Sequence, residues 1–292
     1  MYSHIDSNKR KTWLLIAVFI GILAAAGYVY GQVSGAGEIG LVFALALSLG
    51  MAMFSWLWGD KLVLFTTGAR HIKTRDEYPY LWNIVENLTI TAGMPMPKVY
   101  VIEDAAPNAF ATGTSPEKAS VAFTTGLIDL LENEELEGVA AHELSHVKNF
   151  DSRYMLLVAV LVGTLTLMGD IFFRFGFGRG RRDMHPAFII VGLVFLIVSP
   201  IIGELIKLAV SRSREFLADA SGSLLTRYPE GLAGALEKIS KHGGKMRTAS
   251  SATAHLFIAN PFGQGKQWSR FFSTHPPAEE RIRRLRGMLD TR

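Results

Sequence analysis

Cysteine is absent from all 292 residues, and the absence removes disulfide staples, thiolate metal ligands and cysteine nucleophiles together. A metal held by this chain must therefore be ligated by histidine, carboxylate or both. Charge is sparse as well: charged residues make up 19% of the chain against 49% hydrophobic ones, a balance that suits neither a wholly soluble nor a wholly embedded protein. The net charge of +4 raises nucleic acid as a partner. No nucleic-acid-binding motif is present, however, and the basic residues gather beside apolar runs, where anionic lipid headgroups are the better match. Membrane lipid is the expected partner, and nucleic acid is not.

Four apolar runs, at 13–30, 39–58, 154–173 and 187–210, each have about the length a bilayer-spanning helix needs. Ala24, Ala25 and Ala26 would suit signal-peptide cleavage, but the first run continues past them and a second follows at once, so an uncleaved anchor is expected. Lys9, Arg10 and Lys11 before the first hairpin, and Lys61, Arg70, Lys73 and Arg75 after it, put both of its ends in the cytoplasm by the positive-inside rule. The 174–185 connection, with four arginines against one aspartate, pulls the other way. Either the first hairpin dominates insertion or the second pair only dips into the membrane, and full spanning is the reading adopted. The expected organisation is a transmembrane hairpin at 1–60, a cytoplasmic catalytic part at 61–153, a second hairpin at 154–210 and a second catalytic part at 211–292. The fold class is a mainly α membrane protein with four transmembrane helices and an α+β catalytic domain carrying a small β-sheet.

The chemistry gathers at His142-Glu143-Leu144-Ser145-His146. The proline-free stretch 134–150 has an acidic first turn and reads as a helix capped by Asn133. Residues four apart on a helix share a face, with Cβ atoms roughly 5–6 Å apart, so His142 and His146 can direct two imidazoles at one Zn²⁺. Glu143 falls beside the metal without ligating it, where a carboxylate can take a proton from water and pass it to a leaving amine. A catalytic zinc needs one more protein ligand. Glu215 is the best candidate, with Asp219 four residues on as acceptor for the free N–H of a ligating imidazole. The same two residues also read as surface charges paired with Arg212 and Arg214, and the residues alone leave both readings open.

Several pieces of the chain, in order, resemble the HtpX-type membrane zinc metalloproteases and, more distantly, the CaaX prenyl endoprotease. They are Asn108-Ala109-Phe110-Ala111-Thr112-Gly113, the HELSH helix, SRSREFLADA at 211–220, Ser273-Thr274-His275-Pro276-Pro277, and Glu280-Arg281-Ile282. The resemblance implies a gluzincin-like site with one zinc per chain, Glu215 as its third ligand, and a multi-pass protein of the cell inner membrane. It also implies membrane or misfolded proteins as substrates, in membrane protein quality control and stress response.

Strands are expected at 98–102, 109–112 and 119–124. Asn108, Ala109, Phe110, Ala111, Thr112 and Gly113 read either as an ordinary hairpin strand or as an open sheet edge to which a peptide substrate adds. His275, held by the prolines after it, or Arg270 is a candidate donor to the oxyanion of amide hydrolysis, with packing as the other role. The basic segment 279–289 reads as an amphipathic helix whose Arg281, Arg283, Arg284 and Arg286 meet solvent or lipid headgroups. A membrane endopeptidase is the expected function. An aminopeptidase would need an acidic group for the substrate N-terminus, and no such motif is evident; a scaffold with a purely structural zinc would have no use for Glu143. Oligomeric state is not legible.

Overall fold

The computed structural model describes residues 2–177, 211–263 and 276–288, with backbone alone at 2–4 and 169–177. Helices α1 (Tyr2–Ser34) and α2 (Glu38–Thr66) fold back on each other as a hairpin. Glycine permits their close approach: a Cβ added at Gly27 would stand 2.2 Å from Ala44 Cβ and 2.6 Å from the Gly40 carbonyl oxygen. The outer surface of the hairpin exposes Trp13, Phe43, Phe54, Trp58 and Phe65, an apolar extent that suits hydrocarbon rather than water.

A four-stranded sheet follows, made of β1 (Ala69–His71), β2 (Lys98–Ile102), β3 (Ala109–Thr112) and β4 (Ser120–Thr124) in the order β1-β2-β4-β3. β2 and β4 run parallel, and the other two pairings are antiparallel. The remaining described helices are α3 (Pro79–Ala92), α4 (Thr125–Leu130), α5 (Asn133–Lys148), α6 (Asp151–Phe177), α7 (Arg212–Thr226), α8 (Pro229–His242) and α9 (Ala278–Gly287). Val99, Val101, Ala109, Ala111, Val121 and Phe123 point to one face of the sheet, into a core shared with α3, α5 and α8. Ile102, Phe110 and Ala122 point to the other face, onto Val63 and Leu64 of α2, Met155 and Leu156 of α6, and Phe257. With both faces covered, the strands carry almost no polar alternation.

Three described helices are long and apolar enough to cross a membrane: Ile5–Ser34, Glu38–Thr66 and Asp151–Met168. The fourth expected span, 187–210, lies outside the described residues.

Two expectations need correction. The cap of α5 is Glu132 rather than Asn133: the Glu132 N–H donates to Glu135 Oε2 at 2.9 Å, so a carboxylate one turn in satisfies the helix start and draws Asn133 into the helix. The sheet edge at β3 is not open along its first half. Phe110 bridges Phe257 antiparallel, Ile258 N–H donates to the Ala109 carbonyl at 2.9 Å, and the Asn108 amide both donates to the Ala259 carbonyl (3.0 Å) and accepts from Ala259 N–H (3.1 Å). Phe257 and Phe110 are fully buried edge to face, so this segment belongs to the core. Residues 111–113 lie beyond that bridge.

Candidate metal centre

Helix α5 buries every residue from Gly138 to Val147, including His142, Glu143 and His146 at 1%, 2% and 4% exposure. It lies under the sheet on one side and against α7 and α8 on others. Helix α7 can approach because Gly222 stands there; a Cβ would lie 3.0 Å from the His142 backbone nitrogen. That contact seats Glu215, one end of α7, over the HELSH face. Donor atoms of His142, His146 and Glu215 all lie within 4.8 Å of one another, and all three residues are buried. Glu215 and Asp219, at 2% and 3% exposure, are therefore not surface charges.

The two imidazoles are held from behind. His142 Nδ1 lies 3.0 Å from Asp219 Oδ1, and His146 Nδ1 lies 3.2 Å from Asp151 Oδ2. With each Nδ1–H committed to a carboxylate, the Nε2 atoms face each other at 3.2 Å, with Glu215 Oε1 3.5 Å from His146 Nε2 and Glu215 Oε2 3.9 Å from His142 Nε2. Two facing nitrogens need a positive charge between them. In the metal-free chain that charge is a proton. Burial opposes charging His146, but the Asp151 hydrogen bond and the charges of Glu215, Asp151 and Glu143 outweigh it and raise its pKa to about 9. Burial and the Arg281 charge, partly opposed by Asp219, lower His142 to about 4. Among the described residues, Arg214 lies near the buried Asp151 carboxylate and Arg281 near those of Glu215 and Asp219. Two imidazoles and a carboxylate around one point are a donor set that fits a divalent metal such as Zn²⁺.

Arg281 was misjudged from sequence. Expected on a solvent or lipid-facing surface, it is 1% exposed. On α9, Arg281 and Leu285, four apart, turn inward together, while Arg283, Arg284 and Arg286 stay exposed. Its guanidinium grips Asp219 with two hydrogen bonds, Nε to Oδ2 at 2.9 Å and Nη2 to Oδ1 at 2.6 Å, and stands 3.6 Å from Glu215 Oε2 and 3.4 Å from the His142 ring nitrogens. Burial works against both charges, yet their pairing holds Asp219 below the usual carboxylate range and Arg281 above its ordinary value. Asp151 was also missed; its signal was an acid five residues past His146, opening the next helix. His275 and Arg270 lie outside the described residues.

The profile of Peptidase family M48 matches residues 76–289, a stretch that takes in the HELSH helix, α7 and all of α9. The chain belongs to peptidase family M48. Among M48 relatives named Protease HtpX homolog, the protein of Dictyoglomus turgidum is 45% identical over 289 residues, covering 98% of this chain and 94% of its own. That of Tropheryma whipplei (strain Twist) is 46% identical over 290 residues, covering 99% and 98%. The crystal structure of S. mikatae Ste24p superposes with a TM-score of 0.52 at 18% identity over 98% of this chain and 67% of that one, a likeness of fold. The M48 chain is thus a membrane metalloprotease at the level of its family, with a buried group compatible with a metal site.

Proposed function

We propose that this M48 chain is a zinc-dependent endopeptidase that cleaves membrane or misfolded proteins at a site on the cytoplasmic face of the inner membrane. The convergence of His142, His146 and Glu215 in a buried pocket carries the reading. These three would hold one Zn²⁺. When bound, zinc supplies a Lewis acid that polarises the scissile carbonyl and lowers the pKa of water toward about 7. Glu143 takes the proton of the attacking water and delivers it to the leaving amine. Asp219, clamped by Arg281, orients His142, and Asp151 orients His146. Beyond the bridge at Phe110, residues 111–113 are where we put the substrate strand, and His275 or Arg270 is our candidate oxyanion donor. The catalytic parts 61–153 and 211–292 form one unit between membrane hairpins at 1–60 and 154–210.

Glu143 provides the test. Replacing it with Gln keeps the shape and removes the proton acceptor, so purified Glu143→Gln should hold a full complement of zinc while casein cleavage falls about 10²-fold to 10⁴-fold. His146→Ala and Glu215→Ala should lose the metal itself in elemental analysis. Near wild-type cleavage by zinc-loaded Glu143→Gln would sink the mechanism, and full zinc in Glu215→Ala would remove it as a ligand.

A further inference from the structure

The hydrogen bonds behind His146 continue past Asp151 into the first membrane helix. Asn8 of α1 is 3% exposed. A buried amide in a helix interior is unfavourable on both propensity and desolvation unless its polar atoms are matched. Here the Asn8 Nδ2 group donates to Asp151 Oδ1 at 2.7 Å and to the Asn149 carbonyl at 3.0 Å, across 143 and 141 positions of sequence. Its neighbour Lys9 lies over the Phe150 ring at 4.9 Å, with the Arg153 guanidinium 4.5 Å from the same ring. Phe150 has a φ of 59°, so the turn between α5 and α6 adopts a left-handed conformation that a non-glycine residue takes only when held. Helix α1 grips this turn with two consecutive side chains.

The two oxygens of Asp151 are divided between tasks. Oδ2 faces His146 Nδ1 and Oδ1 takes the Asn8 amide, with Arg214 Nε farther off at 3.9 Å. Without the Asn8 donor, the stronger pull on Oδ1 would come from Arg214, turning the carboxylate away from the imidazole it orients. Helix α1 is also packed along α6 by Leu15, Phe19 and Leu23 against Tyr154, Leu157 and Val158, apolar contacts in which Asp151 takes no part.

We propose that Asn8 is a positioning residue for the metal centre: by fixing the Asp151 carboxylate that orients His146, its amide ties metal affinity to one side chain of the first membrane helix. The proposal rests on the zinc reading above and reaches beyond it, because it assigns part of the site to a segment outside the catalytic parts.

The test is zinc affinity of the detergent-solubilised full chain, read by competition with a chromogenic chelator, with a melting curve for each metal-free variant. Asn8→Ala should weaken zinc binding about 10-fold, the low end of what partners behind a ligand contribute. Leu15→Ala loosens the same helix without touching Asp151 and should leave affinity within about twofold of wild type. In an Asp151→Ala background, Asn8→Ala should add nothing, since its partner is gone. Wild-type affinity in Asn8→Ala, an equal loss in Leu15→Ala, or full additivity with Asp151→Ala would each overturn the proposal. Should Asp151→Ala fail to fold, the comparison of Asn8→Ala with Leu15→Ala decides alone. A wild-type chain that binds no zinc would overturn the metal reading and this proposal together, whereas zinc held equally by wild type and Asn8→Ala overturns this proposal only.

Discussion

Arg281 shows how a charge can be read wrongly from its neighbours. Set among Arg283, Arg284 and Arg286 it looks like part of a solvated basic face, yet it alone is buried, with both oxygens of Asp219 on its guanidinium. Removing one half of a buried ion pair leaves the other charge uncompensated and typically costs about 3–5 kcal/mol. Arg281→Met should therefore lower the melting temperature sharply and reduce zinc occupancy with it; an unchanged melt would mean the pair contributes nothing. His146 gives a pH dependence. Its folded pKa, about 9, lies above the ordinary 6.5, so its proton stabilises the metal-free fold fully below pH 6.5, and that contribution disappears as pH rises through 9. Zinc must displace the same proton. Calorimetry near neutral pH in buffers of different ionisation enthalpy should find about one proton released per zinc bound, and a value of zero would contradict the protonated His146.

At the scale of elements, the site depends on how closely two helices can pack. Helix α5 carries its histidines at a spacing any helix would give, but Glu215 reaches them only because α7 lies against α5 at Gly222, where a Cβ would meet the His142 nitrogen at 3.0 Å and the Ala141 carbonyl carbon at 3.2 Å. Gly222→Val should push α7 outward, separate Glu215 from the imidazoles and weaken zinc binding, while Glu143 stays on its own helix. Zinc affinity equal to wild type in Gly222→Val would show that the contact is slack. The occupied edge of β3 belongs to the same scale. The Asn108 amide takes the Ala259 backbone as a strand partner would, so the 257–259 segment completes part of the sheet.

For the whole molecule the site constrains orientation, since His146 and Glu215 can share a metal only if an even number of crossings separates them. One crossing would hold the two about 30 Å apart across the hydrocarbon. With both hairpins spanning and both termini cytoplasmic, reporter fusions after Gln32 and after Arg182 should both report the far side; a cytoplasmic signal at Arg182 would mean that the second pair only dips into the membrane. Length, apolar runs and the HELSH spacing were legible in the sequence because they are local: a helix places residues four apart on one face whatever surrounds it, and a bilayer asks only for length and apolarity. The three-residue β1 was not legible, because so short a segment becomes a strand only by pairing with β2. The same holds for Asn8 and Asp151, 143 positions apart, and for Arg281 and Asp219, 62 apart. Which charges are buried and which polar groups meet depends on contacts between distant segments, and only the tertiary structure decides them.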